Sequence, residues 1–264
     1  MLVHFSKYHG TGNDFVMIDG RDQETGRLDT EVIRRLCDRR FGIGGDGLII
    51  LENSRHFDFT MRYFNADGRE GTMCGNGGRC ITAFARSLGL LDTHTTFEGI
   101  DGTHEASILP NGEIRLKLVN VNGIKELEDG YLLDTGSPHF VKQVDKLKTL
   151  DVEREGAEIR HQTRFGEGGV NVNFMEAGPD EGQIAVRTFE RGVEAETWSC
   201  GTGVTAAAIT SCFQSGSDKN SYDVQTRGGR LNVSFNTEDH GHFTEIYLSG
   251  PALHVYDGSI DIVV

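Results

Sequence analysis

Short apolar or alternating runs dominate the chain: FVMID (15–19), LIILE (48–52), FDFTMRYFN (57–65), EIRLKLV (113–119), VNVNFMEA (170–177), QIAVRTFE (183–190), RLNVSFN (230–236) and TEIYLSG (244–250). A period of two sends successive side chains to opposite faces, so these runs predict strands, separated by Gly, Asn and Asp turns. Helical spacing is rarer. It appears in DTEVIRRLCDRR (29–40, with Asp29 or Thr30 as cap), in the stretch after Cys74, in DVEREGAEIRH (151–161) and in GVTAAAITSCFQSG (203–216). Strands that outnumber helices in an irregular order predict mixed α+β sheets rather than a regular parallel βαβ series.

The pattern repeats once. MRYFNADGREGTMCGNGG leads from a strand through Cys74 into a helix, and VRTFERGVEAETWSCGTG does the same through Cys200. Arg62 stands 12 positions before Cys74, and Arg187 stands 13 before Cys200. After each helix comes a pair of strands around a glycine turn, TTFEGIDGTHEASI in one half and DVQTRGGRLNVSF in the other. Solenoid periods are roughly 20–50 residues, so a repeat of more than 100 predicts two copies of a domain related by pseudo-twofold symmetry, with a cleft between them.

Composition narrows the partners. The 264 residues suffice for one large domain or two small ones. With 26 Lys and Arg against 40 Asp and Glu, the net charge is −14, and no basic cluster interrupts it. Nucleic acid and anionic membranes are therefore poor partners. No run of about 18 apolar residues and no signal-like N-terminus is present, so a soluble, cytoplasmic protein is the expectation. Five cysteines (Cys37, Cys74, Cys80, Cys200 and Cys212) form no C-x-x-C pair and no zinc spacing, and an odd count fits reduced thiols. No metal site is expected.

Cys74 and Cys200 differ from the other three. Each precedes Gly-x-Gly where a strand gives way to a helix, a place where the first amides lack a helical partner and the helix dipole favours negative charge. That setting lowers a thiol pKa from its free value of about 8.5 and can also hold a carboxylate. Cys37, Cys80 and Cys212 lie inside apolar helical patterns and read as core.

Two other motifs carry less. GIGGDG (42–47) matches the spacing of a dinucleotide fingerprint, but a helix precedes it and a strand follows, the reverse of the required context. It reads as a structural connection bordering the cleft. GSPH (136–139) contains a serine and a histidine without the G-x-S-x-G elbow of hydrolases, and His139 alone reads as a strand-end histidine. Asn13, Asn65, Asn171, Glu190 and Arg191 fall at strand ends or glycine turns close to the cysteine motifs, and Asn65 and Glu190 follow the matching Phe64 and Phe189. Their recurrence predicts a polar lining.

Taken together, KYHGTGNDFVMID, FNADGREGTMCGNGGRC, VNVNF, FERGVEAETWSCGTG and GPALHVYDG resemble the diaminopimelate epimerase family over nearly the whole chain and in order. The resemblance implies two similar domains, each a strand-rich, barrel-like sheet around a central helix, with the final strand returning to the first domain. The lobes expected on that basis are 1–119 plus 252–264, carrying Cys74, and 120–251, carrying Cys200, with the active site in the cleft. It also implies a cofactor-independent epimerase interconverting LL- and meso-diaminopimelate, and a homodimer. Cys74 and Cys200 match the two catalytic cysteines, one removing the α-proton as thiolate while the other delivers a proton as thiol. Gly75, Asn76, Gly201 and Thr202 match the helix-opening residues that hold the reacting carboxylate. Asn13, Asn65, Asn171, Glu190 and Arg191 match substrate-binding positions, and His139 and Glu190 match residues flanking the reaction centre. Gly47 and Ser137 depart from the family pattern, which places a glutamine and an asparagine there.

The chemistry fits the motif. Inverting a carbon needs a base on one face and an acid on the other, and converging helix N-termini would stabilise the charge that develops on the carboxylate. Glu190 and Arg191 offer one charge of each sign for a second amino acid group. A proline racemase-like enzyme is the nearest rival. A cysteine hydrolase with His139 as base leaves one Cys-Gly motif unexplained, and a binding module would bind without turnover.

Overall fold

The computed structural model describes residues 1–239 and 241–262; His240, Val263 and Val264, which fall within the two expected lobes, lie outside the described residues. The chain forms two compact units, Met1–Leu116 with Gly250–Val264, and Lys117–Ser249.

The first unit contains β1 (Leu2–Gly10), β2 (Asn13–Asp19), α1 (Thr30–Cys37), β3 (Gly47–Glu52), β4 (Phe59–Asn65), α2 (Gly75–Ser87), β5 (His94–Gly99), β6 (Gly102–Ile108) and β7 (Ile114–Lys117). Antiparallel pairs β1–β2, β3–β4, β5–β6 and β6–β7 are joined by the parallel pairs β2–β3 and β4–β5. The alternation of side chains divides this sheet's contacts. Val16, Ile18, Leu48 and Ile50 pack with Ile33, Leu36 and Cys37 of α1. The intervening Phe15 and Ile49 face Gly77 of α2.

The second unit contains β8 (Val121–Asn122), β9 (Lys125–Leu127), β10 (Gly130–Asp134), β11 (Pro138–Gln143), α3 (Val152–Arg160), β12 (Asn171–Ala177), β13 (Gln183–Glu190), β14 (Ala195–Thr197), α4 (Gly201–Ser215), β15 (Ser221–Thr226), β16 (Gly229–Asp239) and β17 (His242–Gly250). Its main ladder repeats the first: β10–β11 antiparallel, β11–β12 parallel, β12–β13 antiparallel, β13–β15 parallel, then β15–β16 and β16–β17 antiparallel. Here too one face meets a short helix and the other a long one. Phe140, Val172, Phe174 and Phe189 pack with Val152 and Ile159 of α3. Val141, Met175, Val186, Val224 and Val233 pack with Val204, Ala208 and Ile209 of α4. The last strand, β18 (Leu253–Asp261), pairs antiparallel with β1.

The observed helix ends differ from those read in the sequence, for local reasons. α1 stops at Cys37 because the Asp38 carboxylate accepts the amides of Arg40 and Phe41 and turns the chain. α4 begins two residues earlier than expected, at Gly201, with Cys200 as its N-cap, and it ends where Gly216 adopts a left-handed conformation. The protein is thus mixed α+β, with four α-helices among the described residues. None of them is long and apolar enough to cross a membrane.

Candidate active site

Both cysteines are helix N-caps with extended backbone, Cys74 at φ −99° and ψ 133° and Cys200 at φ −117° and ψ 113°. The first intrahelical bonds run from Gly78 N to the Cys74 carbonyl at 2.7 Å and from Val204 N to the Cys200 carbonyl at 2.9 Å. The amides of Gly75, Asn76 and Gly77, and of Gly201, Thr202 and Gly203, therefore precede the helical ladder and open the positive end of each helix beside a thiol.

The approach to each cysteine is fixed in the same way. Arg62 donates to Glu70 at 3.0 Å, and Arg187 grips Glu196 through two bonds of 2.6 and 2.7 Å. Glu70 and Glu196 each stand four positions before their cysteine. Glu70 bridges to Phe64, and Glu196 pairs with Phe189, so the two acids are equivalents in the fold. The one-residue difference in the spacing falls in the hairpin between arginine and glutamate. In the second unit Arg227 adds a contact of 3.0 Å to Glu196 and covers the Trp198 ring at 4.7 Å.

Around Cys74 the first unit gathers Asn13 and Asn76. The Cys74 Sγ lies 3.7 Å from Asn13 Oδ1, which also accepts from Asn76 Nδ2 at 3.1 Å. The Asn13 amide donates in turn to Asp46 at 2.8 Å, and Asp46 accepts from Arg39 at 2.6 Å. Thus the GIGGDG loop connects α1 to β3 and supplies a residue that orients Asn13. Its neighbour Asp14 is held by Lys7 at 2.7 Å and by Arg39. Burial works against the Asp14 carboxylate, yet hydrogen bonds from Arg39 and Lys7 outweigh it and bring its pKa down to about 2. Arg79, in the second turn of α2, is fully buried. Its guanidinium reaches Asn76 Oδ1 at 3.0 Å, Thr11 Oγ1 at 3.2 Å and the Gly75 carbonyl at 3.3 Å, and so fixes which end of the Asn76 amide faces Asn13.

Asn65 is exposed at the end of β4, where its carbonyl oxygen accepts from Tyr63 Oη at 2.9 Å. Tyr63 also explains Gly47: a Cβ there would come 2.7 Å from the Tyr63 ring and 2.6 Å from the Phe64 carbonyl. The tyrosine occupies the space into which a longer side chain at 47 would have to grow.

In the second unit the period of two puts His139, Asn171 and Asn173 on the α4 side of β11 and β12, opposite to the Phe140, Val172 and Phe174 face. His139 is fully buried. Its Nδ1 lies 3.0 Å from Asn173 Nδ2 and its Nε2 lies 3.0 Å from Ser137 Oγ. Burial, reinforced by the nearby Arg191 charge, brings its pKa down to about 3. Thr188, opposite Asn173 in the β12–β13 ladder, donates to Asn173 Oδ1 at 2.9 Å. Asn171 accepts from the Arg191 amide at 2.8 Å and donates to Ser137 Oγ at 3.2 Å. Thr135 donates to the Thr202 carbonyl at 3.0 Å, and the Thr202 hydroxyl lies 3.5 Å from Cys200 Sγ. Glu190 and Arg191 sit at a tight turn between β13 and β14, closed by Glu194 N donating to the Glu190 carbonyl at 2.8 Å. Arg191 is exposed and Glu190 half-buried.

Within the first unit, the structure thus joins Cys74, Gly75, Asn76 and Asn13, with Asn65 on its own contact to Tyr63. Within the second, Thr135 ties the helix start of Cys200, Gly201 and Thr202 to the turn before β11 that carries Ser137, and Ser137 is hydrogen-bonded to His139 of β11 and to Asn171 of β12, which accepts the Arg191 amide. Asn173, Thr188, Asp46, Arg79 and Tyr63 also hold these sets together and were not foreseen from the sequence. Asn173 was detectable, since it lies two positions from Asn171 and hence on the same face of one strand. Burial separates the remaining thiols: it raises Cys37 and Cys80 to about 12 and also raises Cys212. Among the described residues no group of three or more His, Cys, Asp and Glu side chains is placed to hold a metal ion.

The sequence profile described as diaminopimelate epimerase matches residues 5–122 and 131–255. The chain is 49% identical over 255 residues to the diaminopimelate epimerase of Flavobacterium psychrophilum, covering 96% of this chain and 98% of that one. It is 45% identical over 263 residues to the diaminopimelate epimerase of Chlorobaculum tepidum, covering 96% and 99%. A solved structure of a PhzF-family phenazine biosynthesis protein from Bacillus anthracis shares the fold, with a TM-score of 0.79 at 17% identity, over 99% of this chain and 100% of that one. Matched over almost its entire length, this chain belongs to the diaminopimelate epimerase family.

Proposed function

We propose that this protein interconverts LL- and meso-2,6-diaminopimelate without a cofactor, as an isomerase serving lysine and peptidoglycan precursor synthesis. The observation that carries the reading is the pair of cysteine N-caps at equivalent places in two units with one ladder order. In this reading Cys74 and Cys200 serve opposite faces of one α-carbon, one as thiolate base and one as thiol acid. Gly75, Asn76, Gly201 and Thr202 present helix-end amides to the reacting carboxylate, where charge accumulates as the proton leaves. His139 and Glu190 flank that centre, and Asn13, Asn65, Asn171 and Arg191 bind the remainder, with Arg191 suited to a carboxylate.

The family relation favours diaminopimelate over the single amino acid group of a proline racemase substrate, since relatives that are 45–49% identical carry the diaminopimelate epimerase name. A homodimer is carried over from the family, the five free cysteines fit a reducing, cytoplasmic setting, and the acidic surplus of 14 charges argues against nucleic-acid or anionic-membrane partners. Incubation with LL-diaminopimelate in deuterated water tests the reaction. Deuterium uptake at an α-carbon together with the meso isomer is the expected outcome; absence of both would refute it.

A further inference from the structure

The hydrogen positions around His139 follow from its neighbours. The Asn173 side-chain atom 3.2 Å from the Phe140 carbonyl must be the NH2, because a carbonyl oxygen only accepts. The Thr188 hydroxyl on the opposite atom of the amide agrees with this orientation. The same NH2 faces His139 Nδ1 at 3.0 Å, so Nδ1 carries a lone pair. A neutral ring then holds its proton on Nε2, 3.0 Å from Ser137 Oγ. Protonating Nδ1 as well would set two donors against each other in a fully buried place.

Ser137 Oγ therefore receives the His139 Nε2–H. It also receives Asn171 Nδ2 at 3.2 Å, an amide whose orientation is fixed by the Arg191 N–H on its oxygen and the Pro138 carbonyl on its nitrogen. Two donors occupy both lone pairs of the hydroxyl. Its own hydrogen has to leave the set, and Ser137 is half-exposed in the turn that Thr135 ties to Thr202.

We propose that Asn173 is a positioning residue: by holding His139 as the Nε2–H form, it makes the Ser137 hydroxyl a donor reserved for a carboxylate of the substrate. A hydroxyl free to rotate serves an ammonium or a carboxylate equally. One that already accepts twice can only donate, so it selects an anion and is mismatched to a cation. The identity of the anion rests on the epimerase reading, whereas the proton positions stand independently of it.

Histidine-selective 15N labelling tests the proton positions. His139 signals, assigned by their loss in His139→Gln, are expected to show one neutral Nε2–H form unchanged from about pH 5.5 to 8.5. A proton on Nδ1, or an imidazolium in that range, would overturn the proposal whether or not the enzyme epimerises. The substrate contact is tested in a wild type shown to turn over diaminopimelate. Ser137→Ala should leave the His139 signals in the Nε2–H form and raise KM about tenfold, a typical loss for a bond to a charged group, with a smaller change in kcat. An unchanged KM would overturn the donor role. Asn173→Asp puts an acceptor against Nδ1, so a folded variant should show a proton on Nδ1 and a raised KM. A proton on Nδ1 with KM unchanged would overturn the link between the two residues. If that variant does not fold, the wild-type spectrum and Ser137→Ala still decide the outcome.

Discussion

Gly203 in the first turn of α4 lies directly against Asn173 of β12: a Cβ built on the glycine would come 2.3 Å from Asn173 Oδ1 and 3.2 Å from both Thr188 Oγ1 and the Cys200 Cβ. Helix α4 can therefore present Cys200 at this depth only because position 203 lacks a side chain. The contact joins the helix that bears the thiol to the polar set that orients His139.

Gly203→Ala should accordingly damage both stability and turnover. Overpacking of this kind costs about 1–3 kcal/mol, and each kcal/mol is worth about 2–4 °C in Tm for a chain near this size. Calorimetry and kcat measured together check this. Gly26→Ala, where nothing lies within 4 Å of the added Cβ, is the control and should leave both quantities unchanged.

Thiol reactivity should divide the cysteines. Cys74 is half-buried at a helix start, whereas burial pushes Cys37 and Cys80 up to about 12 and raises Cys212. Alkylation of the native protein near pH 8 followed by peptide mass mapping should label Cys74 well before those three. Equal labelling of Cys80 would contradict the assignment of its thiol to the core.

Stability should fall as pH drops below neutrality through His139. Its pKa lies at about 3 in the folded protein against an ordinary 6.5, so between those values the unfolded chain binds the extra proton. Stability from this group is complete above about pH 6.5 and is lost as pH falls toward about 3, with a slope of at most ~1.4 kcal/mol per pH unit. Urea unfolding at pH 7 and 5 checks this: His139→Gln should show a smaller loss across the interval than the wild type. Parallel losses in the two proteins would contradict it.

The N-cap of α3 offers a test away from the cysteines. Asp151 accepts the Arg154 amide at 3.2 Å. Asp151→Ala should cost about 1 kcal/mol in urea unfolding and leave kcat unchanged.

The architecture was largely legible because short apolar or alternating runs and glycine punctuation coincide with the strands packed against the helices, such as β12 and β13, which meet α3 on one face and α4 on the other. β1 and β18 were harder to read. Buried Lys7 interrupts the apolar face of β1, and its partners, Asp14 of the next strand and the Gly44 carbonyl, come from other segments. β18 is largely exposed along its length, so it carries no burial signal. The cysteines announced themselves by repetition, and so did the arginines that precede them. Their partners Glu70 and Glu196 did not, since which acid an arginine meets depends on strand pairing rather than on spacing. His139 showed the same limit: its neighbours were visible residues, but the proton it carries is set by Asn173 and the Phe140 carbonyl, a relation that exists only once β11 and β12 lie side by side.

The proposed pairing of Cys74 and Cys200 as one acid and one base is decided by following LL-diaminopimelate in deuterated water with the wild type, Cys74→Ala and Cys200→Ala, each shown to be folded by its thermal transition. Conversion to the meso isomer with solvent deuterium at the inverted carbon is expected in the wild type, and no conversion in either variant. Conversion at the wild-type rate by either variant would contradict it.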